Sequence, residues 1–182
     1  MVGRRRMLVV VALAAAATGC GAPTGDQEVL VTVPTPITVT SSAFADGEAI
    51  PRDHTCDGAG RVPSLAWSDV PDDAGALALV VDDPDAAPSG TFTHWVVLDL
   101  PVDTRELPDG RLPAGTPQAV NSGGRTGWYP PCPPSGTHRY RFTVHALSRA
   151  TGVPDGAPLE RALAAISGFA VASGTLEGTY SR

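Results

Sequence analysis

The chain has 182 residues, 13 basic against 19 acidic side chains, a formal net charge of −6, and 20 glycines, 18 prolines and three cysteines. An acidic chain without basic runs argues against nucleic acid as a partner and against broad electrostatic adhesion to anionic lipid. Frequent proline and glycine leave little room for long helices, and the length fits one domain with a real core.

The N-terminus reads as a targeting segment. Arg4, Arg5 and Arg6 precede an apolar run from Met7 to Ala17 that is too short to span a bilayer as a mature helix. Ala17-Thr18-Gly19-Cys20 then resembles the bacterial lipobox, in which the cysteine is lipidated and becomes the first mature residue. Its departure from the pattern is Ala17, where a leucine or similar residue is usual. Residues 1–19 are therefore expected to be a lipoprotein-type signal peptide, and residues 20–40 a tether rich in proline and glycine. Residues 41–182 are expected to form the domain. Removing three arginines and no acids takes the charge from −6 to −9. The expected location is the extracytoplasmic face of the cell membrane, held by a lipid on Cys20. In an exported chain the remaining pair, Cys56 and Cys132, points to a disulfide, with two separate thiols as the alternative.

The next elements are strands. Residues 37–44 are a weak candidate. Ala76 to Val81 is apolar on both faces and suits a buried central strand. Trp95 to Leu100 is similar and stops at Pro101. Tyr140, Phe142, Val144 and Ala146 alternate with Arg139, Arg141, Thr143 and His145, so one face is buried and the other polar. Leu159, Ala162, Leu163 and Ile166 recur at helical spacing, with Pro158 at the start and Ser167-Gly168 as a stop. Residues 175–180 are a last weak strand. The fold class is mainly β: an antiparallel two-sheet β sandwich with Greek-key connections and one or two short helices toward the C-terminus.

Two segments carry the polar chemistry. Asp82-Asp83-Pro84-Asp85 begins where one buried strand ends, and Thr93-His94-Trp95 opens another. If those strands are neighbours, His94 and the aspartates converge, and an aspartate beside a histidine orients it. A solvated turn is the plainer reading of the same residues. Pro131-Cys132-Pro133-Pro134-Ser135-Gly136-Thr137-His138-Arg139-Tyr140 is a stiff, donor-poor loop that runs straight into a strand.

These segments occur in order with Cys56-Asp57-Gly58 and Pro63-Ser64-Leu65-Ala66-Trp67, and together they resemble the phosphatidylethanolamine-binding protein family, in its bacterial Raf kinase inhibitor-like branch. The resemblance covers about residue 42 to Arg182. It implies a small anion or phosphate head-group pocket at one end of the sandwich. By position, the ligand-binding residues would be Asp83, Asp85, His94, Pro133, Pro134, His138 and Tyr140, with Trp128 near the aromatic wall. Two departures stand out. Gly127-Trp128-Tyr129-Pro130-Pro131 replaces a Gly-Tyr-x-Gly-Pro pattern, so that Trp128 or Tyr129 could supply the wall. Phe169 follows Gly168 where the family often has histidine.

The function expected is non-enzymatic binding of a small anion or phosphorylated head group, with no cofactor and no metal. Histidines and backbone N–H groups can donate to phosphate oxygens, and a carboxylate can accept from an ammonium head group. One alternative is an inhibitor of an extracellular protease or a kinase-type partner. A further alternative is a hydrolase, using Ser135 or Ser89 with His138 or His94 and Asp83, or a metal held by Asp82, Asp83, Asp85 and His94. No Gly-x-Ser-x-Gly turn is present to strain a nucleophile into place. His54 and His145 are given no role.

Overall fold

A computed structural model describes residues 36–86 and 90–182. The signal peptide, Cys20, the tether up to residue 35 and Ser89 lie outside these residues.

Among the described residues, seven strands form two antiparallel sheets. The larger sheet has the order β4-β3-β6-β7, built from β3 (Ala76–Asp83), β4 (Phe92–Leu100), β6 (Thr137–Leu147) and β7 (Ala170–Ser181). The smaller has the order β1-β2-β5, from β1 (Thr38–Ser41), β2 (Leu65–Ser68) and β5 (Glu106–Leu107). One α-helix, α1 (Leu159–Phe169), packs outside the larger sheet. This is the mainly β, two-sheet fold that the alternation of apolar residues implies.

The larger sheet is covered on both faces, which explains why β3 is apolar throughout. Leu77, Leu79 and Val81 join Tyr140, Phe142 and Val144 against Leu65 and Trp67 of the smaller sheet. Ala76, Ala78 and Val80 join Val96 and Leu98 against Ala162 and Ile166 of α1. Each large side chain fully buried here contributes about 1.5–3 kcal/mol of hydrophobic stabilisation.

Helix α1 runs past Ser167-Gly168, the expected stop, and turns directly into β7 after Phe169. The ring of Phe169 packs on the helix-side core and carries the Arg149 guanidinium 4.1 Å from its centroid. Tertiary packing thus holds the helix one residue beyond a local breaker.

Strands β2 and β5 were not legible as strands. Both are short, and β5 has two residues paired only with Leu65 and Ala66. On β7 the glycines Gly174 and Gly178 flank Leu176 on one face. A Cβ at Gly174 would collide with the Ile37 carbonyl, and one at Gly178 with Phe44 and Ile50. The segment 37–50 therefore lies against β7 and donates Gly47 N–H to the Glu177 carbonyl and Ile50 N–H to the Thr179 carbonyl, covering the sheet edge.

Candidate functional site

The inner face of the larger sheet changes character at one end. On β3, Val81 is followed two residues later by Asp83; on β6, Phe142 is preceded by Tyr140 and His138. The register Val81↔Phe142 places these polar groups side by side, as a continuation of the core face. Strands β3 and β4 are neighbours, so the expected convergence of Asp83 with His94 occurs.

His94 reaches this face through a backbone irregularity. Val81 pairs with Trp95 and Asp82 with Thr93, which leaves His94 as the extra residue of a bulge. Bulges redirect a side chain that strict alternation would send the other way. His94 consequently points to the same side as Trp95. Its ring lies 5.3 Å from the Tyr140 ring and 4.8 Å from that of Phe92.

The residues Asp83, His94, His138, Tyr140, Pro133 and Pro134 line a cavity of about 240 Å³, together with Ala86, Phe92, Tyr129 and Cys132. Asp83, His94 and His138 are 3%, 4% and 9% exposed, and Tyr140 is 0% exposed.

Each ionisable group has defined partners. His138 Nδ1 donates to Asp83 Oδ2 at 2.7 Å, and Asp83 Oδ1 accepts the Asp85 backbone N–H at 2.8 Å. His94 Nδ1 donates to the Tyr129 carbonyl at 2.7 Å, and the Tyr129 N–H returns to the His94 carbonyl at 3.0 Å. Burial pulls the His94 pKa below the ordinary histidine value, against the opposing pull of the Tyr129 carbonyl and Asp83. The Tyr140 hydroxyl is buried and has no hydrogen-bond partner. Burial and the charges of Asp83 and Asp85 raise its pKa, so it stays a protonated donor; the Cys132 backbone pulls weakly the other way without making a bond of acceptable geometry.

Two expected ligand-binding residues, Asp85 and Trp128, lie outside the cavity lining. Asp85 grips Arg139 from outside the cavity, accepting from Nε at 2.9 Å, Nη2 at 2.7 Å and the backbone N–H at 3.0 Å. These hydrogen bonds lower its pKa to about 2. Its side chain is engaged in that fork, and its link to the site is the backbone N–H that orients Asp83. Trp128 turns into the core against Trp95 and Phe142, with its indole N–H on the Gly60 carbonyl at 3.0 Å. Tyr129, the next residue, supplies the aromatic wall instead. Phe92 is a wall residue without a polar signal of its own; its place follows from pairing with Asp83.

The proline loop is fastened at both ends. Cys132 is bonded to Cys56, and the Cys56 N–H donates to the Pro131 carbonyl at 3.0 Å. Beyond the prolines, Gly136 and Arg182 exchange backbone hydrogen bonds at 2.8 and 3.1 Å. The Asp57 carboxylate accepts from the Tyr180 hydroxyl at 2.8 Å and pairs with Arg182 at 3.1 Å.

Among the described residues, the hydrolytic arrangement built on Ser135 is not assembled. Ser135 is exposed and lies outside the cavity lining. Asp82 is held by Arg141 at 2.6–2.9 Å, as Asp85 is by Arg139. Among the described residues, no group of three His, Cys, Asp or Glu side chains is placed to hold a metal ion. His54 donates from Nδ1 to the Arg61 carbonyl at 3.1 Å. His145 is partly buried on the outer face of β6, and burial lowers its pKa.

Comparison with known proteins yields a consistent set. The sequence model of the phosphatidylethanolamine-binding protein family matches residues 40–181. A Mycobacterium tuberculosis protein named "Putative lipoprotein LppC" is 41% identical over 186 residues, covering 93% of this chain and 92% of its own length. A UPF0098 protein of Methanothermobacter thermautotrophicus is 45% identical over 145 residues, covering 77% of this chain and 95% of its own. The crystal structure of E. coli YbcL, described as a new member of the mammalian PEBP family, superposes with a TM-score of 0.76 at 30% identity. That match covers 81% of this chain and 99% of the other.

Proposed function

The chain belongs to the phosphatidylethanolamine-binding protein family, and within it we propose a non-enzymatic module that binds a small anion or a phosphorylated head group. The observation that carries this reading is the Tyr140 hydroxyl, a buried donor without a partner at a cavity also lined by His94 and His138. A buried unpaired hydroxyl costs about 1–3 kcal/mol, and an oxyanion supplies the missing acceptor. Asp83 holds His138, and Asp85 and Arg139 hold the turn that carries Asp83. Tyr129, Phe92, Pro133 and Pro134 form the remaining walls. A cavity of about 240 Å³ lies below the usual range for drug-sized ligands, so it fits a head group and not the chains of a lipid.

The domain is proposed to work from a lipid anchor on Cys20 at the extracytoplasmic face, behind a signal peptide of residues 1–19 and a tether that ends before Ile37, since Ile37 and strand β1 belong to the packed domain and not to the tether expected over residues 20–40. The match to LppC supports this, because covering 93% of the chain takes it into the segment before residue 36. The UPF0098 match covers 77%. Globomycin-sensitive labelling of Cys20 with a fatty-acid analogue tests the anchor; an unlabelled Cys20→Ala variant is expected, and equal labelling of both refutes it.

Isothermal titration with phosphate, phosphoethanolamine and acetate tests the site. Saturable binding to the wild type and its loss in His94→Ala plus His138→Ala are expected. Equal binding by both proteins removes the proposal.

A further inference from the structure

The cavity has an unusual hydrogen-bond inventory for an anion site. A carbonyl oxygen only accepts, so the hydrogen bond from His94 to Tyr129 fixes the His94 proton on Nδ1. The Asp83 carboxylate does the same for His138. In the neutral rings both Nε2 atoms are then bare lone pairs. With Asp83 beside them, these buried side chains present three acceptors to the empty cavity against one buried donor without a partner, the Tyr140 hydroxyl.

Among the described residues, no fixed positive charge corrects this balance. The chain contains no lysine; all 13 basic residues are arginines. None of those in the described residues lines the cavity. Arg139 and Arg141, the arginines that alternate with His138 and Tyr140 on β6, project from the opposite face and are held by Asp85 and Asp82. An oxyanion brings only acceptors unless it carries a proton of its own.

Resting on the anion-binding reading above, we infer that the cavity takes up an oxyanion together with a proton. The proton from solvent adds to the Nε2 lone pair of His94 or His138, and the resulting N–H donates to an anion oxygen beside the Tyr140 hydroxyl. No bond to the anion forms or breaks.

The surrounding charges favour one proton over two. His94 faces Asp83 and Asp82 from β3, His138 and Tyr140 from β6, and Tyr129 from the proline loop. His138 faces Asp83 from β3 and its cross-strand neighbour Tyr180 on β7, with Asp85 in the adjoining turn. The carboxylates support an imidazolium at His94, and a charge on His138 opposes it. Burial keeps His94 neutral in the empty site, and an arriving anion reverses that preference.

Titration calorimetry of the folded protein with inorganic phosphate and with sulfate tests the inference, each run at pH 8 in two buffers of different ionisation heat. Sulfate has no protonated form near neutral pH, so it isolates uptake by the protein. About one proton taken up per anion is expected, with affinity falling about tenfold per pH unit between pH 7 and 9. Nitrogen-15 NMR of the histidines is expected to show Nδ1–H tautomers at His94 and His138 in the empty protein and one imidazolium in the complex. Anion binding without proton uptake, or an Nε2–H tautomer in the empty protein, overturns the inference and leaves the binding reading standing. No binding of either anion from pH 5.5 to 9 overturns both.

Discussion

His138 Nδ1 and Asp83 Oδ2 lie 2.7 Å apart across two neighbouring strands, 55 residues apart in sequence, at the point where the apolar core face turns polar. Both residues are buried, so the pair is a commitment of the fold as well as of the site. Asp83 accepts a second hydrogen bond, from the Asp85 N–H. An asparagine in its place has one acceptor oxygen for two donors. Asp83→Asn is therefore expected to lower stability by about 1–3 kcal/mol, the cost of a buried donor left unpaired. Urea unfolding reads this as a lower midpoint at unchanged slope, and an unchanged midpoint counts against the described pairing.

Tyr140→Phe has the opposite sign for stability. The hydroxyl has no partner in the empty cavity, so removing it is expected to leave the unfolding midpoint unchanged or to raise it by up to about 1 kcal/mol. A loss of more than about 1 kcal/mol would mean that the hydroxyl is satisfied within the protein.

The Cys56–Cys132 bond closes a loop with a sequence separation of 76. Loops of this length stabilise by about 4 kcal/mol in the chain-entropy account, and measured losses on removal run about 2–5 kcal/mol. The double variant Cys56→Ser, Cys132→Ser is expected to lose stability in that range. It should also weaken anion binding, since Cys132 and the prolines after it form a wall. Thermal unfolding with and without a thiol reductant gives the comparison; identical curves would contradict it.

Acid should act in two separate steps. Burial lowers the folded pKa values of His94 and His145 below 6.5. A depressed pKa contributes stability that is present above the unfolded value and is lost as pH falls below it. Stability is thus expected to decline from about pH 6.5 downward, and His145→Gln should flatten part of that slope. Asp85 acts lower, its contribution with Arg139 being lost as pH falls from about 4 toward about 2. That pair is largely solvent-exposed, so its share is small. Chemical denaturation at a series of pH values is the measurement, and a flat profile between pH 7 and 5 would contradict the histidine part.

Much of this architecture was legible because hydrophobic period and partner layers agree. The alternation from Tyr140 to Ala146 named the buried face of β6 correctly, and the unbroken run from Ala76 to Val81 reflects a strand with a sheet on one side and a helix on the other. Strand β5 was silent because two residues carry no period. The helix ends one residue past the Ser167-Gly168 stop because Phe169 packs on the helix-side core. In the site, Asp83, His94 and His138 could be singled out by residue type and order. The choice between Trp128 and Tyr129 could not, because which of two adjacent aromatic rings faces the core depends on Trp95, Phe142 and Gly60, all distant in sequence. The separation of Asp85 from the cavity likewise depends on Arg139, whose charge is visible in sequence but whose grip is not.

The most direct measurement is calorimetric titration of inorganic phosphate into the wild-type domain and into Tyr140→Phe at pH 6, with unfolding midpoints recorded for both. The account predicts saturable one-to-one binding by the wild type. It also predicts at least about tenfold weaker binding by the variant, as befits loss of a hydrogen bond to a charged group, with no loss of stability. Equal affinity in the two proteins, or no phosphate binding by the wild type, would contradict it.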